Sequence, residues 1–388
     1  MNVMKKVKSK RKSICFLTHD LITGGLENVL IEALNILHNE YDIDVICLYG
    51  ETEKELLKSF PTNVNVIIQP FYGSNILNKI ISRFKYKLYL SKFYFSKIIK
   101  RRYDFIIGLK SLERFACFSG RGKHYIYWCH NDWHTKLMEP ELTKTMKKEK
   151  KLIKALYKKH NMVWTVNETI ANELRNIFPS DNFYSLPNPI NCNEIIKKSE
   201  EPSDIVFDKT KTNIVLLGRI SSEKGFGRVV RVMSEDIFEK FPNTHLYIIG
   251  EGPAKEYYER KINELGLCDK VTLLGSKANP YPILKQADLL ISPSKFESFG
   301  LVMMEAMLLN VPVIATSTTG AKYVTQNGKY AQCVENNNSS LHDAIYKFLE
   351  NPNSYNFPKE EAKKWVWEHD TDLFASRLKE LLNKCEDI

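Results

Sequence analysis

Two α/β domains, the second a doubly wound parallel sheet and the first a less regular α/β domain, are what this sequence predicts, and three observations carry that expectation. The 388 residues, 43% of them hydrophobic, exceed one ordinary core and suit two domains of about 150 to 200 residues each. Short apolar runs recur along the chain, continuous rather than alternating, with helix-length amphipathic stretches between them, as strands covered on both faces require. Leu186-Pro187-Asn188-Pro189 then breaks the rhythm and leads into a polar stretch through Lys211, the composition of a linker. The boundary is expected near residues 187–212. Residues 1–190 form the N-terminal domain and 191–370 the C-terminal domain, with 371–388 a terminal helix expected to pack back on the first domain.

Taken in order, Ser13 to Thr18 reads as the first strand, Thr23-Gly24-Gly25 as a loop and Leu26 to Leu37 as an amphipathic helix. Further strand candidates of the first half are Ile43 to Leu48, Val64 to Ile68, Phe105 to Leu109, Tyr125 to Cys129 and Val163 to Val166. The second half is more regular, with strands expected at Asn213 to Gly218, Thr244 to Gly250, Lys270 to Gly275, Asp288 to Ser292 and Val311 to Ala315. No internal repeat or low-complexity tract interrupts either half.

Charge divides the chain as sharply as the linker does. Of the net +10, residues 1–190 contribute 31 Lys/Arg against 18 Asp/Glu, while residues 191–388 carry 25 against 28. A basic first half suits a polyanionic partner, a membrane surface or a nucleic acid. No run of 18 uncharged apolar residues is present to span a bilayer, and the basic N-terminus lacks the apolar stretch of a signal peptide, so a cytoplasmic protein is expected. Cys15, Cys47, Cys117, Cys129, Cys192, Cys268, Cys333 and Cys385 form no Cys-x-x-Cys pair, which argues against a disulfide framework or a zinc site.

The chemistry-bearing residues concentrate where strands of the second half end. Arg219 and Lys224, in Gly218-Arg219-Ile220-Ser221-Ser222-Glu223-Lys224-Gly225, follow a strand's carboxyl end, the edge at which open α/β sheets bind ligands, and two cations there can grip a diphosphate. Gly250-Glu251-Gly252-Pro253 ends the next strand, with glycines that permit a tight turn or a close approach and a proline able to begin a helix. The strongest local signal runs from Ser292 through Met307. Ser298 is expected to cap a helix, which leaves Glu297 on the strand-end loop and puts Glu305 in the second helical turn, both directed at one crevice. Leu301, Val302, Leu308 and Leu309 give Glu305 no cation on its own helix, so either an inter-helix salt bridge or a polyhydroxyl ligand must satisfy it.

Residues 213–325 closely resemble the donor domain of the large family of retaining glycosyltransferases of GT-B fold known as GT4, whose hallmark is Glu, seven residues, Glu. The resemblance implies two Rossmann-like domains facing each other across a donor/acceptor cleft. It assigns Arg219 and Lys224 to the diphosphate, Glu297 to the donor-sugar hydroxyls and Glu305 to the ribose. Gly250, Gly252 and Pro253 become the nucleotide-side turn, Ser276 and Lys277 the base-binding segment, and Phe299, Gly300 and Leu301 the backbone turn near the diphosphate.

In the first domain Thr23-Gly24-Gly25-Leu26-Glu27 resembles the family's glycine loop. Independently of that likeness, glycine amides opening a helix make an anion site. His130 follows an apolar strand, resembles the family's active-site histidine and is preferred to His134; its implied part is to hydrogen-bond the donor sugar and stabilise developing charge. Arg219, Lys224 and the Gly24 and Gly25 amides would neutralise the departing diphosphate, so neither metal nor other cofactor is expected. Asp42-Ile43-Asp44 and Asp370-Thr371-Asp372 imitate the Asp-x-Asp of metal-dependent transferases but read as structural or surface residues.

Acceptor and membrane expectations rest on the basic half. Residues 79–103 interleave Lys79, Arg83, Lys85, Lys87, Lys92, Lys97, Lys100, Arg101 and Arg102 with Phe84, Tyr86, Tyr89, Phe93, Tyr94, Phe95 and Tyr103, as an interfacial helix on anionic lipid does. A second basic run spans Lys144 to Lys159. No nucleic-acid recognition motif accompanies them. The expected activity is sugar transfer from a nucleotide diphosphate sugar, UDP-linked, to a glycan or lipid-linked acceptor in surface-polysaccharide synthesis. The alternatives are a nonhydrolysing nucleotide-sugar epimerase, which shares the two-domain architecture, and a non-catalytic membrane- or nucleic-acid-binding protein using the basic half. A glycosidase with Glu297 and Glu305 as acid and base would leave the diphosphate-type cations unexplained.

Overall fold

A computed structural model describes residues 11–22, 24–48, 52–69, 95–110, 113–130, 144–352 and 358–388. The chain divides into two units, the first comprising Met1–Leu186 with Ala375–Ile388 and the second Pro187–Phe374.

In the first unit seven strands pair in parallel: β1 (Ser13–Thr18), β2 (Asp42–Cys47), β3 (Asn65–Ile68), β4 (Tyr103–Gly108), β5 (Gly122–Cys129), β6 (Met162–Thr165) and β7 (Phe183–Ser185). Their order in the sheet is β3-β2-β1-β4-β5-β6-β7. Helices α1 (Gly25–Leu37), α2 (Lys54–Lys58), α3 (Lys144–Tyr157) and α4 (Glu168–Ile177) alternate with them. Continuous apolar sequence is explained by burial on both faces: Trp128 and Trp164, opposite each other in register on β5 and β6, are both fully enclosed, their rings meeting edge to face at 5.6 Å. Asn167 starts α4 by accepting the Ile170 amide at 2.8 Å, a side-chain cap.

The second unit repeats the plan with β8 (Thr212–Leu217), β9 (Thr244–Ile249), β10 (Val271–Gly275), β11 (Leu289–Ser292), β12 (Val313–Thr316) and β13 (Gln332–Val334), ordered β10-β9-β8-β11-β12-β13 and all parallel. Its helices are α5 (Cys192–Ser199), α6 (Phe226–Val232), α7 (Lys255–Glu264), α8 (Tyr281–Leu284), α9 (Leu301–Leu308), α10 (Thr319–Val324), α11 (Asn338–Glu350) and α12 (Lys359–Trp367). A last helix, α13 (Thr371–Glu386), carries the chain back into the first unit from Ala375. The core of the second unit lies where Ile214, Leu216, Ile248, Leu289 and Ile291 of the sheet meet Phe226 and Val229 of α6 and Leu341, Ile345 and Phe348 of α11.

Three expectations change. The polar stretch after Pro189 is not wholly a linker, because Cys192 and Ile195, three residues apart, give α5 a buried face that packs on α8 and α9. Strands β7 and β13 have only three residues each and no apolar run to announce them. In the basic segment 79–103, residues 79–94 lie outside the described residues; Phe95 and Tyr103 are buried core residues, so these two aromatics do not face a lipid surface.

The turn after β9 shows how tightly the strand ends fit. Gly250 has φ +144°, and a Cβ there would lie 1.9 Å from the carbonyl oxygen of Gly218; a Cβ on Gly252 would lie 2.4 Å from that of Ile220. The glycines let two loop backbones touch, with Ile220 N–H donating to Glu251 O at 2.8 Å and Ala254 N–H to Ile220 O at 3.1 Å. Gly250→Ala is therefore expected to destabilise the second unit by about 2–4 kcal/mol, read as a lowered denaturation midpoint in urea.

Candidate functional site

In the second unit the strand order reverses between β8 and β11, and the carboxyl ends of two such strands leave a crevice. The loops that follow them carry the two strongest sequence signals. Lys224 and Glu297, 73 residues apart, meet there with Nζ and Oε2 at 2.5 Å. Both side chains are only partly exposed, at 32% and 16%, which makes this a shielded ion pair rather than a surface one. The surrounding backbone holds it in place. Lys295 N–H donates to Glu223 O at 2.7 Å and Thr316 Oγ1 to Ser294 O at 2.7 Å, while Gly320 N–H reaches the carbonyl of Glu297 itself at 2.7 Å. Arg219 is exposed and has no ion-pair partner among the described residues. One cation is thus balanced by a carboxylate and the other is available to an anion.

Helix α9 begins at Leu301 behind Gly300, not behind Ser298 as expected. Phe299 must first be buried, with its ring 5.7 Å from Tyr323 and 6.0 Å from His369, and the chain then turns at Gly300 with φ +96°, where a Cβ would lie 2.1 Å from Met303 Cε. Glu305 stays in the second turn. Burial pushes its carboxyl up to about 7, eased slightly by the Tyr281 hydroxyl at 3.5 Å, the outer limit of a hydrogen bond. No Lys, Arg or His lies within ion-pair distance of it among the described residues, so the inter-helix salt bridge is not formed. Glu305 is left with one long hydrogen bond for two carboxylate oxygens.

The remaining predicted residues of this unit divide by role. Gly250 and Gly252 approach the Gly218–Ile220 backbone and so shape the loop that carries Arg219; Pro253 is exposed and precedes α7 by two residues rather than opening it. Ser276 is exposed just past β10, and Lys277 is half-buried and held by Asp204 at 2.5 Å. Leu301 is the first residue of α9 and half-buried.

The first unit has its own reversal between β1 and β4. Gly24 caps α1 and Gly25 opens it, but the amides have a neighbour within the chain: the Glu27 carboxyl folds back so far that a Cβ on Gly24 would meet Oε2 at 2.8 Å. Glu27 is 5% exposed, and burial raises its pKa although Lys110 opposes the shift. Lys110, just past β4, reaches Glu27 at 2.9 Å and Asp20 at 2.6 Å; burial works against its charge, but these two carboxylates outweigh burial and raise its pKa. Sequence reasoning missed Lys110 and Asp20, although the strand-end rule applied to Arg219 points equally to Lys110. Buried Glu113, 1% exposed, lies 3.5 Å from the partly exposed His19.

His130 directly follows β5, its ring 4.8 Å from Trp128. Its Nε2 is enclosed without a hydrogen-bond partner among the described residues. Burial, aided by the charge of Lys110, pushes its pKa down to about 3, so the imidazole is neutral at physiological pH. His134 lies outside the described residues.

The two Asp-x-Asp pairs are engaged structurally. Asp44 is buried against Arg101, at 3.0 Å, and accepts a hydrogen bond from the Tyr103 hydroxyl, while Asp370 accepts the Cys192 amide at 3.0 Å. Among the described residues no three His, Cys, Asp or Glu side chains cluster as metal ligands.

Known proteins give this geometry a context. Residues 197–365 match the family described as Glycosyl transferases group 1. An uncharacterized glycosyltransferase of Methanocaldococcus jannaschii is 26% identical over 298 residues, 75% of this chain and 62% of that protein. The lipopolysaccharide core biosynthesis glycosyltransferase LpsD of Rhizobium meliloti is 31% identical over 140 residues, 36% of this chain and 39% of its own. The chain thus spans less than two thirds of the length of either curated relative. In fold, HepE of Anabaena, solved in complex with UDP, superimposes with a TM-score of 0.72 over 96% of this chain and 100% of its own at 17% identity. Two parallel-sheet Rossmann-like units, the GT-B plan, are therefore the architecture of this chain, and residues 197–365, the greater part of the second unit, belong to the glycosyl transferases group 1 family.

Proposed function

We propose that this protein is a retaining, metal-independent glycosyltransferase that moves a sugar from a UDP-linked donor to a glycan or lipid-linked acceptor in cell-surface polysaccharide synthesis. The observation that carries the reading is the meeting of Lys224 with Glu297 at the reversal of the second sheet, with Arg219, which has no ion-pair partner among the described residues, on the same loop as Lys224. Both relatives compared in sequence are glycosyltransferases, one of lipopolysaccharide core biosynthesis, and the compared structure holds UDP; these support the donor and acceptor classes.

The division of labour follows from charge and hydrogen-bonding capacity. A diphosphate arriving beside Arg219 draws Lys224 toward its oxygens, and the Glu297 carboxylate, an acceptor only, is then open to the donor sugar's hydroxyls. Glu305 accepts from the ribose hydroxyls, which restore the hydrogen bonds its burial removed. As the sugar–phosphate bond breaks, negative charge grows on the diphosphate, and Arg219 and Lys224 stabilise it where a divalent cation otherwise would. Neutral His130 offers one ring nitrogen as acceptor and one N–H as donor to the sugar. The acceptor hydroxyl attacks the face from which the diphosphate departs. We place the reaction in the cytoplasm, peripherally at the inner face of the membrane; among the described residues no helix is long and apolar enough to cross one.

UDP at about a hundred times its dissociation constant is expected to raise the melting temperature of the second unit by roughly 5–10 °C. Lys224→Ala and Glu305→Ala, while still folded, should each lower transfer by roughly a hundredfold or more. A protein that no nucleotide or nucleotide sugar stabilises would refute the donor site, and wild-type turnover in both variants would refute the roles.

A pH test isolates Glu305. Its folded-state pKa stands above the unfolded value, so the native protein keeps a proton that the unfolded chain releases between about pH 4.5 and 7, and stability declines as pH rises through that window. Glu305→Gln should remove this decline, standing about 1–3 kcal/mol above wild type at pH 8 in urea titrations while binding UDP less tightly. Activity should survive EDTA; loss restored by Mg²⁺ would contradict the metal-free mechanism.

A further inference from the structure

The opposite edge of the first sheet, where its strands begin, holds a feature that sugar transfer does not use. Arg11 and Lys12 precede β1, Arg101 and Arg102 precede β4, and Arg121 and Lys123 flank the first residue of β5. These three strands are adjacent in the sheet. Ile14 pairs with Phe105 and Tyr103 with Gly122, and the Tyr103 amide still donates to Arg121 O at 2.9 Å. Continued to the residues just before the strands, that register places Arg11, Arg102 and Arg121 in one row, spaced by the roughly 4.8 Å between neighbouring strands. All six cations border a single cleft of about 720 Å³, within the usual range for small-molecule sites.

Cations at this edge can be ordinary solvated residues or partners of helix carboxyl ends. Two of the six are accounted for internally: Lys12 pairs with Glu386 at 2.6 Å, and Arg101 with Asp44 at 3.0 Å, its guanidinium 4.7 Å from the Tyr103 ring centroid. Among the lining residues Asp42 and Asp104 are the acids, and Asp104 already accepts from the Ser13 amide at 2.8 Å and hydroxyl at 2.9 Å. Arg11, Arg102, Arg121 and Lys123 have no ion-pair partner among the described residues. Three of these four are arginines, whose planar forks chelate phosphate oxygens in pairs, and an anion of high charge density relieves their mutual repulsion.

We propose that this amino-edge cleft is a binding site for a ligand bearing clustered phosphate groups, separate from the donor site and built by the row of Arg11, Arg102 and Arg121 with Lys123. Clustered phosphate can arrive on a soluble molecule or on a lipid headgroup, and the ligand chemistry is the same.

Two probes test this on the full chain with UDP present throughout: inorganic triphosphate by calorimetric titration, and flotation with phosphatidylcholine vesicles with or without phosphatidic acid. The Arg102→Ala/Arg121→Ala variant removes two forks from the row. Lys54→Ala/Lys58→Ala removes the same charge from exposed positions on α2, and circular dichroism verifies that both variants are folded. Affinity for triphosphate should fall roughly tenfold or more in the arginine variant and hold in the lysine variant. Loss of vesicle recruitment alongside it identifies a membrane-borne ligand, and loss confined to triphosphate a soluble one. If neither probe distinguishes the arginine variant from wild type, the proposal is overturned.

Discussion

A parallel sheet covered by helices on both faces can present polar chemistry only at its two ends, and that constraint organises both units. Trp128 against Trp164 in the first, and Ile214, Leu289 and Ile291 under α6 and α11 in the second, leave no wetted face on which a charged group could rest. Lys224, Glu297 and Arg219 sit at carboxyl ends, as do Lys110, Asp20 and His130. At the starts of the strands the first unit collects arginines instead.

Within the second unit the strand-end groups are held by backbone rather than by side-chain bulk. Glycines at 250, 252 and 320 let one loop lie on the next, so the spacing between strand ends is transmitted to Arg219 and Glu297 through main-chain contacts. Such a frame costs little entropy on binding, because the loops are already joined. Glu305 is the counterexample: a half-buried carboxyl on an apolar helix, whose pKa burial raises.

Most strands were legible because continuous apolar runs have few other readings in a chain of this length, and Ser13–Thr18 appears with the bounds expected. The failures have local causes. Three-residue strands such as Phe183–Ser185 depend on neighbours for their definition, and α5 is helical because unit two supplies a surface for Cys192 and Ile195. Ser298 looked like a cap by residue type, but Phe299 is buried first and the cap falls on Gly300, with the helix starting at Leu301. In the site, strand-end position identified Arg219, Lys224 and Glu297 individually. The pairing of Lys224 with Glu297, and that of Lys110 with partners 83 and 90 residues away, required the fold.

In the proposed donor site the Lys224–Glu297 contact is also a gate of recognition. The lysine's charge is already matched by a neighbour, so on that reading a bare anion competes with a carboxylate held at 2.5 Å and would leave that carboxylate stranded. A visitor that brings an anion and hydroxyl donors on one rigid frame replaces both halves of the pair together. On that reading, discrimination between a sugar-bearing diphosphate and simple phosphates is written into a contact made within the chain itself.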